Sequence, residues 1–156
     1  PSDGSVAILG ADAGGDDRFD VRPRIGYVGH VPGLYPELTL EENLRFVASV
    51  RGIDTDRAEA ALEAVGLGGA RHRLAERCSH GMQRRAEFAR VLMTEPELLL
   101  LDEPHSALDG DAVDLVETIV DRTTSGGGAA VVVSHDQARV SDMTTRTVEV
   151  TDGAVR

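Results

Sequence analysis

Lysine is absent from the 156 residues of this chain, so all 16 basic residues are arginine. This absence excludes the Gly-x-x-x-x-Gly-Lys-Ser/Thr loop, in which a lysine and backbone N–H groups hold nucleotide phosphates. An arginine-rich codon bias would account for the missing lysine, but the consequence for binding is the same. Any phosphate that this chain binds must be held by other side chains or by helix ends.

Cysteine and long apolar runs are also scarce. A single cysteine, Cys78, excludes an internal disulfide and fits a reducing compartment, and no Cys/His cluster has the spacing of a structural zinc site. The longest apolar runs, 98–101 and 129–133, are far shorter than the roughly 20 residues that span a bilayer. No basic start followed by an apolar stretch indicates a signal peptide. We therefore expect a cytoplasmic protein that reaches a membrane only through a partner.

Basic residues are outnumbered by acidic residues in this chain. The 27 acidic residues against 16 basic ones give a formal net charge of -11, which opposes binding to nucleic acid or to anionic lipid. Hydrophobic residues at 41% and charged residues at 28% are typical of a folded globular domain rather than of a disordered segment. We expect no nucleic-acid partner.

The hydrophobic pattern predicts an α/β fold with a mainly parallel sheet. Thr39 and Glu42 form a capping box that opens a helix with Leu40 and Leu44 on its inner face, and a second amphipathic helix ends at Gly66. The apolar runs predict strands that are buried on both faces of a parallel sheet. Strands are predicted at 5–9, 25–28, 98–101 and 129–133, a polar loop at 11–24, helices at 83–93 and 111–122, and a closing hairpin at 148–153.

Adjacent carboxylates end the predicted strand at 98–101. Asp102 and Glu103 would lie at the carboxyl edge of the sheet, where α/β proteins bind ligands. Asp102 suits Mg²⁺, which keeps several waters and takes few carboxylates. Glu103 would orient and deprotonate an attacking water. A solvated strand end is the alternative, because Asp and Glu are common at such positions.

A second candidate site precedes the predicted helix at 83–93. Ser79 can cap this helix, and Gly81 lets a phosphate approach the backbone N–H groups at the positive end of the helix dipole. An ordinary serine cap is the alternative. Arg84 and Arg85 could contact a phosphate, but they are interpreted as solvated helix residues.

Five motifs, taken in order, resemble those of the ATP-binding subunits of ABC transporters. They are the strand and loop at 25–30 continued by 33–44, the signature Cys-Ser-His-Gly-Met-Gln-Arg-Arg at 78–85, the Walker B strand at 98–104, the D-loop at 106–109, and the switch-histidine strand at 131–136. The resemblance covers nearly the whole chain. It implies a partial ABC-type nucleotide-binding domain, with an α/β core at 1–34 and 91–156 and an inserted helical signature subdomain at 35–90.

The resemblance also implies roles for the matching residues. Ser79 and Gly81 would contact the γ-phosphate of ATP held by a second, opposing subunit, and Asp109 would cross the same interface. Glu103 would be the catalytic base and Asp102 the Mg²⁺ residue. His135 would polarise the γ-phosphate, with a surface histidine as the alternative reading, and His30 would contact nucleotide.

The chain departs from the family pattern in three respects. His30 stands where most members have glutamine, and imidazole titrates near neutral pH. Cys78, His80 and Met82 replace the usual signature residues. The phosphate-binding loop and its adenine-stacking residue are missing, which we interpret as truncation before Pro1, and we expect the isolated chain to bind ATP poorly and to be inactive.

The resemblance finally narrows the function. The motifs at 29–34 and 37–46 resemble the haem exporter subunit of cytochrome c maturation, while Ser-x-Gly-Met is also similar to ABC-2 type drug or polysaccharide exporters. We expect an ATPase, with ATP as substrate and Mg²⁺, that pairs with a second copy and a transmembrane permease at the inner face of the cell membrane. The alternatives are a non-hydrolytic interaction module and an ABC ATPase acting on ribosomes or DNA.

Overall fold

A computed structural model describes residues 3–106 and 110–155 of the chain. The strands, in chain order, are β1 (Ala7–Ile8), β2 (Ala11–Asp12), β3 (Ile25–Val28), β4 (Leu98–Asp102), β5 (Ala129–Val133), β6 (Val150–Thr151) and β7 (Ala154–Val155). The helices are α1 (Arg18–Val21), α2 (Leu40–Arg51), α3 (Arg57–Ala64), α4 (His80–Thr94), α5 (Gly110–Ser125) and α6 (Gln137–Met143). The predicted α/β class is confirmed.

The central sheet contains β3, β4 and β5 in that order, all parallel. The connection from β4 through α5 to β5 is the parallel crossover that the sequence predicts. Val116, Ile119 and Val120 of α5 are buried beneath the sheet, as their helical spacing indicates. The carboxyl ends of all three strands therefore lie along one edge.

Only one face of this sheet is buried. Leu99 and Leu101 are inaccessible to solvent, whereas Tyr27, Val131 and Val133 on the opposite face are more than half exposed. The prediction that both apolar strands are buried on both faces is thus wrong for β5 and only half right for β4. An apolar run indicates a strand, but which faces are covered depends on elements far away in the sequence.

The segment predicted as a polar loop at 11–24 contains regular structure. β2 pairs antiparallel with β1, and α1 follows, continued by a 3₁₀ turn at Arg22–Arg24. The Asp12 carboxylate accepts the Gly14 N–H, and Arg18 donates to the carbonyls of Gly14 and Gly15. These local bonds stabilise a turn that composition alone describes as a loop.

The capping box of α2 is present as predicted. The Thr39 hydroxyl accepts the Glu42 N–H at 3.2 Å, and the Glu42 carboxylate accepts the Thr39 N–H at 2.8 Å. α2 ends at Gly52 in the left-handed conformation, φ 66°. The second predicted helix is α3, and α2, α3 and α4 bury one shared set of side chains, namely Leu40, Leu44, Ala58, Leu62, Phe88 and Leu92.

α4 begins three residues before the predicted start at Gln83. The Ser79 hydroxyl accepts the Met82 N–H at 3.2 Å, so this serine is the N-cap and Gly81 lies inside the first turn. The helix packs against α2, α3, α5 and β3, which is why almost every side chain from Arg84 to Met93 is buried. β6 and β7 form the predicted closing hairpin.

Candidate functional site

The candidate site lies along the carboxyl edge of the three-stranded sheet. His30 comes two residues after β3, Asp102 and Glu103 end β4, and His135 follows β5 by two residues. Parallel strands bring these ends together, although the residues are more than 100 positions apart in sequence. The structure therefore gathers the predicted strand-end residues at one edge.

Glu103 and His135 are in direct contact. The carboxylate Oε1 lies 2.9 Å from His135 Nδ1 and also accepts the His135 backbone N–H at 2.9 Å. The Ser134 hydroxyl is 3.4 Å from the other oxygen, Oε2. Glu103 is thus fixed by the turn that follows β5, while its side chain stays 26% exposed and the His135 side chain 88% exposed. Both groups remain open to a ligand approaching this edge.

The backbone at Glu103 is in the left-handed region, with φ 48°. For a residue with a Cβ this conformation costs about 1–3 kcal/mol. Two backbone bonds maintain it: the Glu103 N–H donates to Val133 at 2.9 Å, and its carbonyl accepts the Ser106 N–H at 3.0 Å. The carboxylate of this residue contacts His135.

The two side chains shift each other's pKa. The hydrogen bond to Glu103, followed by its charge, raises the pKa of His135. The hydrogen bond from the His135 side chain, assisted by its backbone N–H and its charge, lowers the pKa of Glu103 despite partial burial. The pair's contribution to stability is therefore lost in acid as Glu103 takes up a proton, and lost in base as pH rises through the raised pKa of His135.

We expect an NMR titration to find the imidazole of His135 titrating above the ordinary histidine value of 6.5. Glu103→Gln removes the carboxylate charge and should return the His135 pKa toward that value. Glu97→Gln is the matched control, because Glu97 pairs with Arg24 at the surface instead. An unchanged His135 pKa in Glu103→Gln would show that the contact does not persist in solution.

Asp102, the predicted Mg²⁺ residue, lies at the carboxyl edge of the sheet. Its side chain is half-buried at the end of β4, beside a Glu103 carboxylate that is already engaged by His135. Mg²⁺ takes one or two carboxylates and completes its shell with water and phosphate oxygens. Among residues 3–106 and 110–155, no group of three His, Cys, Asp or Glu side chains forms a ready-made metal cage.

Ser79 and Gly81 occupy a separate position at the start of α4. Ser79 is exposed and bonds within its own helix. Within the described part of the chain, neither residue reaches Glu103 or His135 through a hydrogen bond or an ion pair. The first turn of α4 still presents free N–H groups and the positive end of the helix dipole to solvent. Asp109 lies outside the described residues.

The interpretation of Arg84 as a solvated helix residue is wrong. Its side chain is fully buried and donates to the carbonyls of Gly29 and His30. Burial lowers the pKa of Arg84, and the charges of Glu87 and Asp102 oppose that shift. Arg84 therefore attaches α4 to the residues that follow the end of β3.

Sequence reasoning also missed two charged residues near Arg84. Glu87 is 1% exposed and accepts the Gly33 N–H at 3.0 Å, and Arg90 donates to the Tyr27 carbonyl at 2.6 Å. The available signal was their spacing of three residues along a helix whose other side chains are largely apolar. With Arg84, they connect α4 to the strand and loop that carry His30.

Comparisons with known proteins show the family to which this chain belongs. The family model described as ABC transporter matches residues 1–106. The chain is 37% identical over 148 residues to the cytochrome c biogenesis ATP-binding export protein CcmA of Nitrosomonas europaea, covering 92% of this chain and 68% of that protein. It is 38% identical over 136 residues to a fluoroquinolones export ATP-binding protein of Mycobacterium tuberculosis, covering 87% and 45% respectively.

A solved structure gives the same result for the fold. The ATP-binding cassette MJ0796, in a dimeric post-hydrolysis state bound to ADP and Pi, superposes with a TM-score of 0.87 at 27% identity, covering 99% of this chain and 72% of that one. The chain spans about half to two thirds of the length of its curated relatives.

Proposed function

Because this chain belongs to the ABC transporter family of ATP-binding proteins, we propose that it is the ATP-hydrolysing motor of an exporter, coupling hydrolysis of Mg-ATP to transport by a membrane partner. The observation that carries the proposal is the Glu103–His135 contact at the carboxyl edge of the parallel sheet. An interaction module without catalytic activity has no chemical need for a half-buried carboxylate held on a strained backbone.

Glu103 is the proposed catalytic base. Its carboxylate is ionised at neutral pH and can take a proton from a water molecule as the water oxygen attacks the γ-phosphorus. The bond between the γ-phosphorus and the bridging oxygen then breaks, and ADP leaves with the electron pair. His135, held by Glu103, is close enough to this carboxylate to stabilise charge on the same phosphoryl group. Mg²⁺ held near Asp102 would neutralise phosphate charge.

A second copy of the chain is the proposed source of the remaining contacts. Ser79 is exposed and Gly81 is half-buried, at a helix N-terminus that does not bond to the carboxylate edge of its own chain. A head-to-tail pair would set this turn of one copy against the γ-phosphate held by the other, with Asp109 at the same interface. The dimeric state of the similar cassette MJ0796 supports this arrangement. We assign 35–90 to the helical signature subdomain and the rest to the core.

An exposed apolar patch on α2 and the preceding loop is the surface that we propose for the membrane partner. Tyr35 and Phe46 meet edge to face at 5.2 Å between ring centroids, both about half exposed, and Val50 lies one turn farther along α2 at 71% exposure. In residues 3–106 and 110–155, no helix is long and apolar enough to cross a bilayer. An exposed apolar patch of this kind suits docking of a membrane partner.

The proposed cargo is haem for cytochrome c biogenesis. The relatives at 35–42% identity that carry the cytochrome c biogenesis name support this choice over a drug. A fluoroquinolone or another ABC-2 type cargo is the second candidate, because a relative named for fluoroquinolone export reaches 38% identity.

The test uses the full protein that the gene encodes, including any residues that flank this chain. Phosphate release from ATP should require Mg²⁺, and the protein should sediment with membranes of its host. Phe46→Glu should move the protein into the supernatant at least several-fold without abolishing phosphate release, whereas Val155→Glu, an exposed apolar control on β7, should not. Membrane binding without hydrolysis would favour the interaction module. Recovery with ribosomes or DNA would favour the nucleic-acid alternative and exclude the motor.

A further inference from the structure

Three charged side chains at intervals of three residues line one face of α4. Arg84 and Glu87 are 0% and 1% exposed, and the Arg90 side chain is 16% exposed. We call these residues the charged ladder. Residues three apart in a helix lie on the same face, so the ladder forms a continuous strip that faces β3 and the loop after it.

The ladder bonds to the backbone of that segment rather than to side chains. Arg90 donates to Tyr27, Arg84 donates to Gly29 and His30, and Glu87 accepts from Gly33. Four peptide groups within seven residues, 27–33, are thereby attached to one helix. Glu87 also lies 3.4 Å from Arg84 and 3.5 Å from Arg90, so its negative charge is shared by two arginines.

Burying these charges is costly, and packing alone does not require them. Burial raises the pKa of Glu87 even though the Gly33 N–H, Arg90 and Arg84 all favour its ionised form. Buried ion pairs often contribute less to stability than apolar residues of the same volume. What the ladder provides, and apolar side chains would not, is one fixed register between α4 and the segment 27–33.

That register involves two parts of the proposed site. The Arg84 guanidinium holds the carbonyl of His30 at 2.8 Å, and Arg84 follows Ser79 by five residues, about 7.5 Å along the helix axis. The segment holding His30 and the turn holding Ser79 and Gly81 are therefore joined through less than two turns of helix.

We propose that Arg84 and Glu87 are positioning residues. They attach the loop that follows β3 and contains His30, which we call the His30 loop, to α4. His30 and the Ser79–Gly81 turn of one chain then move as a unit. The inference rests on the proposed function, because it assumes that His30 contacts nucleotide. A phosphate that moves His30 in one nucleotide site would then shift the turn that faces the other site. The charged ladder would therefore connect the two nucleotide sites that two associated chains form.

The expected change in ATP affinity follows from the fraction of time that the His30 loop spends in the position that binds nucleotide. If loss of the Glu87–Gly33 bond leaves the loop in register about one tenth of the time, the apparent affinity for ATP falls about tenfold. At saturating ATP, binding restores the register. We therefore expect Glu87→Leu to raise KM for ATP about tenfold and to change kcat less than threefold.

The first experiment measures amide hydrogen exchange of residues 27–34 in the protein as encoded, without nucleotide. Glu87→Leu should accelerate exchange in this segment at least tenfold. Glu87→Gln, which keeps an oxygen for the Gly33 N–H, should stay close to the unmutated protein. Glu95→Leu is the matched control, because Glu95 pairs with Arg57 and Arg122 away from this loop. Unchanged exchange in a folded Glu87→Leu protein would overturn the proposal.

The second experiment is a double-mutant cycle with His30. If Glu87 acts through His30, then Glu87→Leu combined with His30→Ala should raise KM no further than His30→Ala alone. Fully additive effects on KM would show that Glu87 serves only the core and would overturn the proposal. Absence of ATP turnover in the unmutated protein would instead refute the proposed function, and the exchange measurement would still decide whether Glu87 holds the loop.

Discussion

Replacing Glu103 with glutamine is expected to lower the rate of ATP hydrolysis about 10²–10⁴-fold, the range typical for loss of a general base. The glutamine amide has the same shape and can still contact His135, but it cannot take the proton from the attacking water. The loss corresponds to roughly 2.7–5.5 kcal/mol of transition-state stabilisation. ATP binding should change little, because the proposed partner of Glu103 is the attacking water rather than the adenosine or the inner phosphates.

Single-turnover phosphate release by the protein as encoded, together with equilibrium ATP binding, separates these effects. Glu97→Gln serves as the control, since it is also a conversion of glutamate to glutamine beside the same strand but lies at the opposite, amino end of β4. That variant should hydrolyse ATP at the normal rate. A normal rate in Glu103→Gln would refute the assigned base, and weakened ATP binding with an unchanged turnover rate would reassign Glu103 to binding.

The parts of the fold that follow from local chemistry were predictable from sequence. The reciprocal bonds of Thr39 and Glu42 require only residues that lie close together, so the start of α2 is found where the capping box places it. The position of the candidate site at the carboxyl edge was also predictable. Parallel pairing brings the ends of β4 and β5 together, independently of the conformation of the loops. The order of the motifs indicated the family, and the family model that matches residues 1–106 confirms it.

The errors concern burial, which depends on tertiary packing. The valines of β5 form an apolar run, yet Val131 and Val133 are more than half exposed because the described residues cover only one face of the sheet. Arg84 stands in the second turn of a helix beside another arginine, a pattern typical of solvated positions, yet it is fully buried. Two of its partners are backbone carbonyls more than 50 residues away, and no local pattern reveals those two.

Replacing Phe88 with alanine is expected to destabilise the chain by about 3–5 kcal/mol, the cost typical of a large aromatic side chain lost from a core. Phe88 is fully buried on α4 and belongs to the same core as Leu44 of α2 and Leu62 of α3. Because α4 carries both the Ser79 cap and the charged ladder, loosening its packing should also weaken the register of the His30 loop. A loss of this size corresponds to a fall in melting temperature of roughly 6–20 °C.

Phe46 provides a matched control, because it is also a helical phenylalanine but its side chain is 45% exposed. Phe46→Ala should cost about 1 kcal/mol, mainly from the edge-to-face contact with Tyr35. Urea unfolding of both variants, with equal slopes, measures the difference directly. Equal losses at the two positions would mean that α4 is not the centre of the core in solution, and the charges of the ladder would then lie in water, where their bonds to the backbone would fix nothing.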